Sequence, residues 1–162
     1  FQDPYAALHP LKSIGTALDE VLKVHSALSP KKRNEKIANL LTQVGLTSEF
    51  HLRYPHQLSG GQRQRVVIAR ALAVEPKVLI CDESVAALDI SVQAQVLNLL
   101  NSLKKELNLS FLFVSHDLSV VKHMSDRILV MHQGCIVEEN EADQLYQNPQ
   151  TEFSKALLNA EI

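Results

Sequence analysis

The run KVLICDE (77–83) ends on two acids, Asp82 and Glu83. A short apolar run closing on acids is the pattern of a buried parallel strand. In open α/β sheets, ligands bind beyond the carboxyl ends of such strands. At that position the first acid can hold Mg2+, mostly through its water shell, and the second can orient or deprotonate a water. A lone Asp-Glu pair is also an ordinary solvated strand end, but the apolar residues before it favour chemistry. His116 follows a second apolar run, FLFVS (111–115), and is expected at the same sheet edge. A neutral imidazole there can donate to a phosphate oxygen and position water. The third stretch is LSGGQRQR (58–65), which precedes a helix-like run. Ser59 brings a hydroxyl, Gly60 and Gly61 let backbone N–H groups approach an anion, and the helix behind them adds its positive dipole end. Taken alone, SGG would be read as a plain loop and N-cap.

These residues need elements to hold them. Ile14, Leu18, Val21 and Leu22 recur at helical spacing within residues 13–28. Ser29 is placed as an N-cap and Pro30 in the first turn of a second helix carrying Ile37, Leu40, Leu41 and Val44, with Gly45 at its end. Residues 11–57 are therefore expected to be helical. After the glycine pair the pattern changes to a helix at 61–74, the strand ending at Glu83, a helix at 91–107 and a strand at 110–117. Strand, helix and strand in that order make a βαβ unit. A short helix (118–125), two strands near 128–131 and 135–138 joined at HQG, and helices near 141–147 and 151–160 complete the chain.

The bulk numbers are those of a globular domain. The chain has 162 residues, 46% hydrophobic and 21% charged, enough for a real core. A net charge of −2 offers no polybasic face, so nucleic acid is not an expected partner. No apolar run reaches the ~20 residues that span a bilayer. Cys81 and Cys135 lie far apart without CxxC spacing and are expected to be buried free thiols. The opening FQDPY, beginning at Phe1, is expected to be internal to a longer polypeptide.

LSGGQRQRVVIARAL resembles the signature motif of the ATP-binding cassette (ABC) ATPases. KVLICDE resembles their Walker B strand, AALD (86–89) the loop after it, FVSHD the switch-histidine segment and FQDP the glutamine loop. All five occur in the family's order. FQDPYAALHP and YQNPQTEFSKALL are most similar to the di- and oligopeptide importer branch. The resemblance implies an α/β fold: a P-loop NTPase-like parallel sheet with helices, incomplete, plus an all-helical subdomain. Residues 1–10 would be the glutamine loop, 11–60 the helical subdomain ending in the signature motif, and 61–162 the C-terminal part of the ATPase core.

The resemblance also implies roles. Gln2 would reach Mg2+ and the attacking water, Asp82 would hold Mg2+, Glu83 would be the catalytic base and His116 would contact the γ-phosphate. Ser59, Gly60, Gly61 and Gln62 would grip the γ-phosphate of ATP bound to the opposite subunit, and Asp89 would cross the dimer interface. The implied cofactors are ATP and Mg2+. The implied partners are transmembrane permease subunits, touched by the helical arm, and a second ABC ATPase subunit in a homo- or heterodimer. The implied location is peripheral, at the cytoplasmic face of the inner or cell membrane.

Two features depart from the family. Ser84 stands where Pro usually follows the glutamate, and Ala86 where Ser usually precedes ALD. The phosphate loop G-x-x-x-x-G-K-[ST] does not occur, since no glycine here is followed by lysine. A helix N-terminus gives an anion ~0.3–1 kcal/mol, up to ~2 in a partly buried site, whereas even millimolar binding needs about 4 kcal/mol. The chain alone is therefore expected not to hold ATP and to be catalytically inactive, completing a site anchored elsewhere. Without the phosphate-loop strand, open strand edges are expected to bring self-association or unusual packing of 78–82. Two other readings are a noncatalytic half-cassette that binds a partner ATPase through LSGG, and an ABC ATPase outside transport. A phosphate loop encoded upstream would identify a truncated enzyme.

Overall fold

The computed structural model describes residues 6–86 and 88–160. Two compact units divide the chain, Phe1–Leu112 and Phe113–Ile162.

The first unit opens with α1 (Ile14–His25), capped by Ser13, whose Oγ accepts the Thr16 N–H at 3.2 Å. Such a cap contributes ~1 kcal/mol. Ile14, Leu18 and Leu22 stack one turn apart and are fully buried, each adding roughly 1.5–3 kcal/mol. Asp19 on the other face bonds Arg33 at 2.5 Å and Lys23 at 2.9 Å, and the Arg33 guanidinium in particular holds its carboxyl below the usual range. α2 (Pro30–Gln43) starts on Pro30, where a missing N–H is harmless and φ is already helical. Ser29 takes the cap position but its side chain makes no cap bond, so the proline sets the start.

The end of α2 is a Schellman motif. Gly45 N–H donates to the Thr42 carbonyl and Leu46 N–H to the Leu41 carbonyl, both at 2.9 Å. Gly45 has φ +71, a region that only glycine enters without penalty. α1 and α2 pack on each other and on α3 (Gly60–Leu72), whose inward residues Val66, Val67, Ile68 and Ala69 are buried. Two 3₁₀ segments, Ser48–Leu52 and Pro55–Gln57, carry the chain from α2 to α3.

β1 (Val78–Asp82), α4 (Ile90–Glu106) and β2 (Ser110–Val114) form the expected strand–helix–strand unit, with β1 and β2 neighbours in a small parallel sheet. Ser110 N–H donates to the Lys77 carbonyl at 3.0 Å and brings the two strand starts together. The expectation of a strand buried on both faces is corrected here. Leu79 and Cys81 are buried, but Val78 and Ile80 are 56% and 57% exposed. Successive side chains point to opposite faces, and only one face of β1 is covered.

In the second unit, α5 (Leu118–Met124) is capped by Asp117, whose Oδ1 accepts the Val120 N–H at 3.1 Å. β3 (Arg127–His132) and β4 (Cys135–Glu141) form an antiparallel hairpin. His132 pairs with Cys135 across Gln133-Gly134, which have φ +50 and +79, the positive pair that suits a two-residue hairpin turn. A bulge between Val130 and Met131 sets Val130 opposite Glu138 and Met131 opposite Ile136. α6 (Ala142–Gln147) and α7 (Glu152–Asn159) follow. Val121, Ile128, Val130, Ala142 and Leu145 form the core of this unit, and Tyr146 O–H donates to the Leu118 carbonyl. Both cysteines are free, Cys81 buried as expected but Cys135 exposed, because it opens the outer strand at the hairpin turn.

Candidate functional site

α3 presents its N-terminus through a reciprocal cap. Ser59 Oγ accepts the Gln62 N–H at 3.3 Å, and Gln62 Oε1 accepts the Ser59 N–H at 3.0 Å. This capping box starts the helix and fixes both side chains. The Ser-x-x-Gln spacing is its own sequence signal; the sequence reading weighed an N-cap for Ser-Gly-Gly but gave Gln62 to anion binding. The first N–H groups of a helix have no intrahelical acceptor. With the Gln62 N–H taken by Ser59, those of Gly60 and Gly61 still face outward along the axis.

The two glycines differ. A Cβ on Gly60 would lie 3.5 Å from Leu88 Cδ2, an ordinary van der Waals contact that a side chain could make without displacing its neighbour. A Cβ on Gly61 would lie 2.4 Å from Val92 Cγ1. Gly61 is therefore demanded by the close approach of α4 as well as suited to an anion. Val92 supports the site: the sequence marks it as part of the apolar helical period of α4, but nothing in it pairs Val92 with Gly61.

β1 delivers Asp82 as its last residue. Glu83 follows with φ +46 and is exposed. A non-glycine residue in the left-handed region carries local strain, and such strain gathers at functional positions. The chain then turns tightly, with Ala86 N–H donating to the Glu83 carbonyl at 3.2 Å and Leu88 N–H to the Val85 carbonyl at 3.1 Å. Ser84, at the position where the family has proline, is buried under this turn. Burial pushes the Cys81 thiol up to about 11, with the neighbouring Ser84 hydroxyl working the other way. That thiol is inert at neutral pH. Asp89 is the N-cap residue of α4, yet its side chain makes no cap bond and is exposed.

The first unit thus holds Ser59, Gly60, Gly61, Gln62, Asp82, Glu83 and Asp89, with the starts of α3 and α4 in contact through Gly60–Leu88 and Gly61–Val92. His116 belongs to the second unit, exposed, between Ser115 and the capping Asp117. Asp117 N–H donates to Ser115 Oγ at 3.1 Å, which shapes the turn that carries the histidine. Gln2 lies outside the described residues.

A match to the family model described as ABC transporter covers residues 2–86. The chain belongs to the ABC transporter family. It is 52% identical over 160 residues to the dipeptide transport ATP-binding protein of Haemophilus influenzae, covering 99% of this chain and 49% of the relative. It is 52% identical over 161 residues to the oligopeptide transport ATP-binding protein of Bacillus subtilis, covering 99% of this chain and 53% of the relative. The chain spans about half the length of the curated relatives it matches. Among solved structures, a dimeric ATP-binding cassette in a post-hydrolysis state, bound to ADP and Pi, superposes with a TM-score of 0.71. The identity is 31%, over 88% of this chain and 61% of that one. The P-loop NTPase-type α/β fold of an ABC cassette, present in part, is therefore the fold of this chain.

The family implies a nucleotide with Mg2+, and the residues present fit one part of such a site. Ser59 Oγ keeps an O–H to donate after accepting from Gln62, and with the Gly60 and Gly61 N–H groups it forms a donor set with no acidic member. Asp82, the last residue of β1, would be the carboxylate to hold the metal, and among the described residues no cluster of three or more His, Cys, Asp or Glu exists. A Mg2+ site of one carboxylate is complete only with phosphate oxygens and water. No helix among the described residues is long and apolar enough to cross a membrane.

Proposed function

We propose that this chain supplies the signature and acidic-strand part of the ATP site in a subunit that powers peptide import. The observation that carries the reading is Glu83: an exposed carboxylate held at φ +46 directly after the strand-end Asp82. Left-handed backbone at a non-glycine residue costs ~1–3 kcal/mol; Glu75 shares it at φ +51, so the place of Glu83 directly after the strand-end Asp82 is what supports a task there. The relatives named for dipeptide and oligopeptide transport support the peptide class.

The roles follow from the chemistry. Glu83 orients and deprotonates the attacking water. Asp82 would hold Mg2+, which would neutralise charge on the phosphate oxygens of ATP, the source of the electrophilic phosphorus. Ser59 and the Gly60 and Gly61 N–H groups receive the γ-phosphate of a nucleotide anchored on a second ATPase subunit, with Gln62 fixing Ser59. His116 donates to the γ-phosphate, and Gln2 reaches the metal and the water. Asp89, free of capping duty, reaches across to the second subunit. The helical arm of the first unit meets the transmembrane permease subunits at the cytoplasmic face of the membrane.

Because the donors here form one wall of the site, the 162-residue chain by itself should bind Mg-ATP more weakly than millimolar. Isothermal titration with Mg-ATP checks this. Tight binding by the chain alone would overturn the split site.

A further inference from the structure

Each of the three arginines of α3 donates to a backbone carbonyl of a different segment. Arg63 Nε reaches the Pro55 carbonyl at 2.7 Å, Arg65 Nη1 the Val44 carbonyl at 2.9 Å, and Arg70 Nη1 the Ala7 carbonyl at 2.6 Å. The first two acceptors lie on the path from α2 into α3. The third lies 63 residues away in sequence, in the segment that follows Gln2 and Pro4.

The described part of that segment, from Ala6, is held at several points. Leu8 is buried in the first unit's core. His9 folds the chain back, its carbonyl accepting the Lys12 N–H at 3.1 Å and its Nδ1 the Leu11 N–H at 3.2 Å. One side borders a cavity of about 610 Å3 that reaches Lys12, Glu20 and Arg70. Among the described residues, the Leu8 side chain and the Arg70 guanidinium anchor it. A charge-assisted bond to a carbonyl is stronger than a neutral one, and the planar guanidinium is pre-set for it.

We propose that Arg70 is a positioning residue: it locks the segment after Gln2 to the far end of the signature helix, so that the two move as one body. α3 is a stiff rod, and ten residues at 1.5 Å each set Gly60 about 15 Å from Arg70. A displacement of Ala7 therefore carries the anion-facing N-terminus of α3 with it. Arg65 is the internal control, since its bond is of the same kind but stays between α2 and α3.

The link is read first in the chain itself. Arg70→Met should speed hydrogen exchange of the Leu11 and Lys12 amides by at least about fivefold, and Arg65→Met should not. The consequence, which rests on the ATPase reading above, is read in the intact subunit assembled with its permease. There Arg70→Met should lower substrate-stimulated kcat by roughly three- to tenfold with KM for Mg-ATP within about twofold, an interaction made in the working step only. Arg70→Lys should restore at least half. Arg65→Met should lower Tm without that split. Unchanged exchange in Arg70→Met, unchanged stimulated turnover, or kcat and KM changing together as in Arg65→Met would each overturn the proposal. If the wild-type subunit hydrolyses no ATP, the reading of function fails, and the exchange measurement still decides the link for or against.

Discussion

Glu83 in the first unit and Glu138 in the second are both set at strands, and the chain uses them in opposite ways. Glu83 is exposed, on a strained backbone, past the end of β1. Glu138 is 9% exposed inside β4, beside the bulge, with its carboxylate fully engaged. Its Oε1 accepts the Gln150 N–H at 2.9 Å, and its Oε2 accepts the Thr151 N–H and Thr151 Oγ1–H, both at 3.0 Å. The Ser154 hydroxyl above all, then the Gln150 and Thr151 donors, hold its carboxyl down to about 2 against the opposing effect of burial. Glu138 thereby clamps the loop between α6 and α7 and the start of α7. Glu138 is a buried acid held by hydrogen bonds, whereas Glu83, proposed to act on water, is exposed on backbone in the left-handed region.

The largest expected effect falls on Glu83. In the intact subunit, Glu83→Gln should cut ATP turnover by roughly 10²–10⁴-fold while nucleotide affinity is retained, measured by steady-state hydrolysis beside a binding titration. Equal turnover would place the base elsewhere and erase the contrast between the two acids. Glu138→Gln should leave turnover chemistry alone and destabilise the second unit by roughly 1–3 kcal/mol, read as faster hydrogen exchange at Gln150, Thr151 and Ser154.

The pH dependence of the clamp has a definite sign. The folded value, about 2, lies below the ordinary 4.5. The clamp's contribution is therefore complete above about pH 4.5 and is lost as pH falls toward about 2. An acid titration of the wild type with no loss of stability attributable to Glu138, judged against Glu138→Gln, would break this assignment.

A smaller effect sharpens the same contrast at the glycine pair. Gly61→Ala should cost roughly 1–3 kcal/mol by overpacking against Val92, and Val92→Ala in the same chain should recover most of it. Gly60→Ala should change stability by less, because its Cβ meets only an ordinary contact. Thermal melts of the three variants and the double variant check the ranking. Equal costs at both glycines would mean that α4 does not dictate Gly61.

The helices, strands and hairpin turn were legible from residues 6–160 because each is specified locally. Apolar residues recur every three to four positions in α1, α2 and α4, Gly45 ends α2, and Gln133-Gly134 closes the hairpin. The acids at the end of β1 and the glycines opening α3 stood out as candidates because residue type beside an element end suggests a chemistry. The two-faced burial expected of β1 was not met. KVLICDE reads the same whether one face or two are covered, and coverage depends on what packs there.

By itself the sequence determined the order of elements, the strand-end acids and the glycine-led helix start, since period, caps and turn residues act within a few positions of one another. The tertiary structure alone decided that Gly61 answers to Val92, that Arg70 reaches Ala7, and that Glu138 is a clamp. Those partners lie 12 to 63 residues apart in the chain. No local pattern carries a contact between side chains that meet only once separate elements have packed.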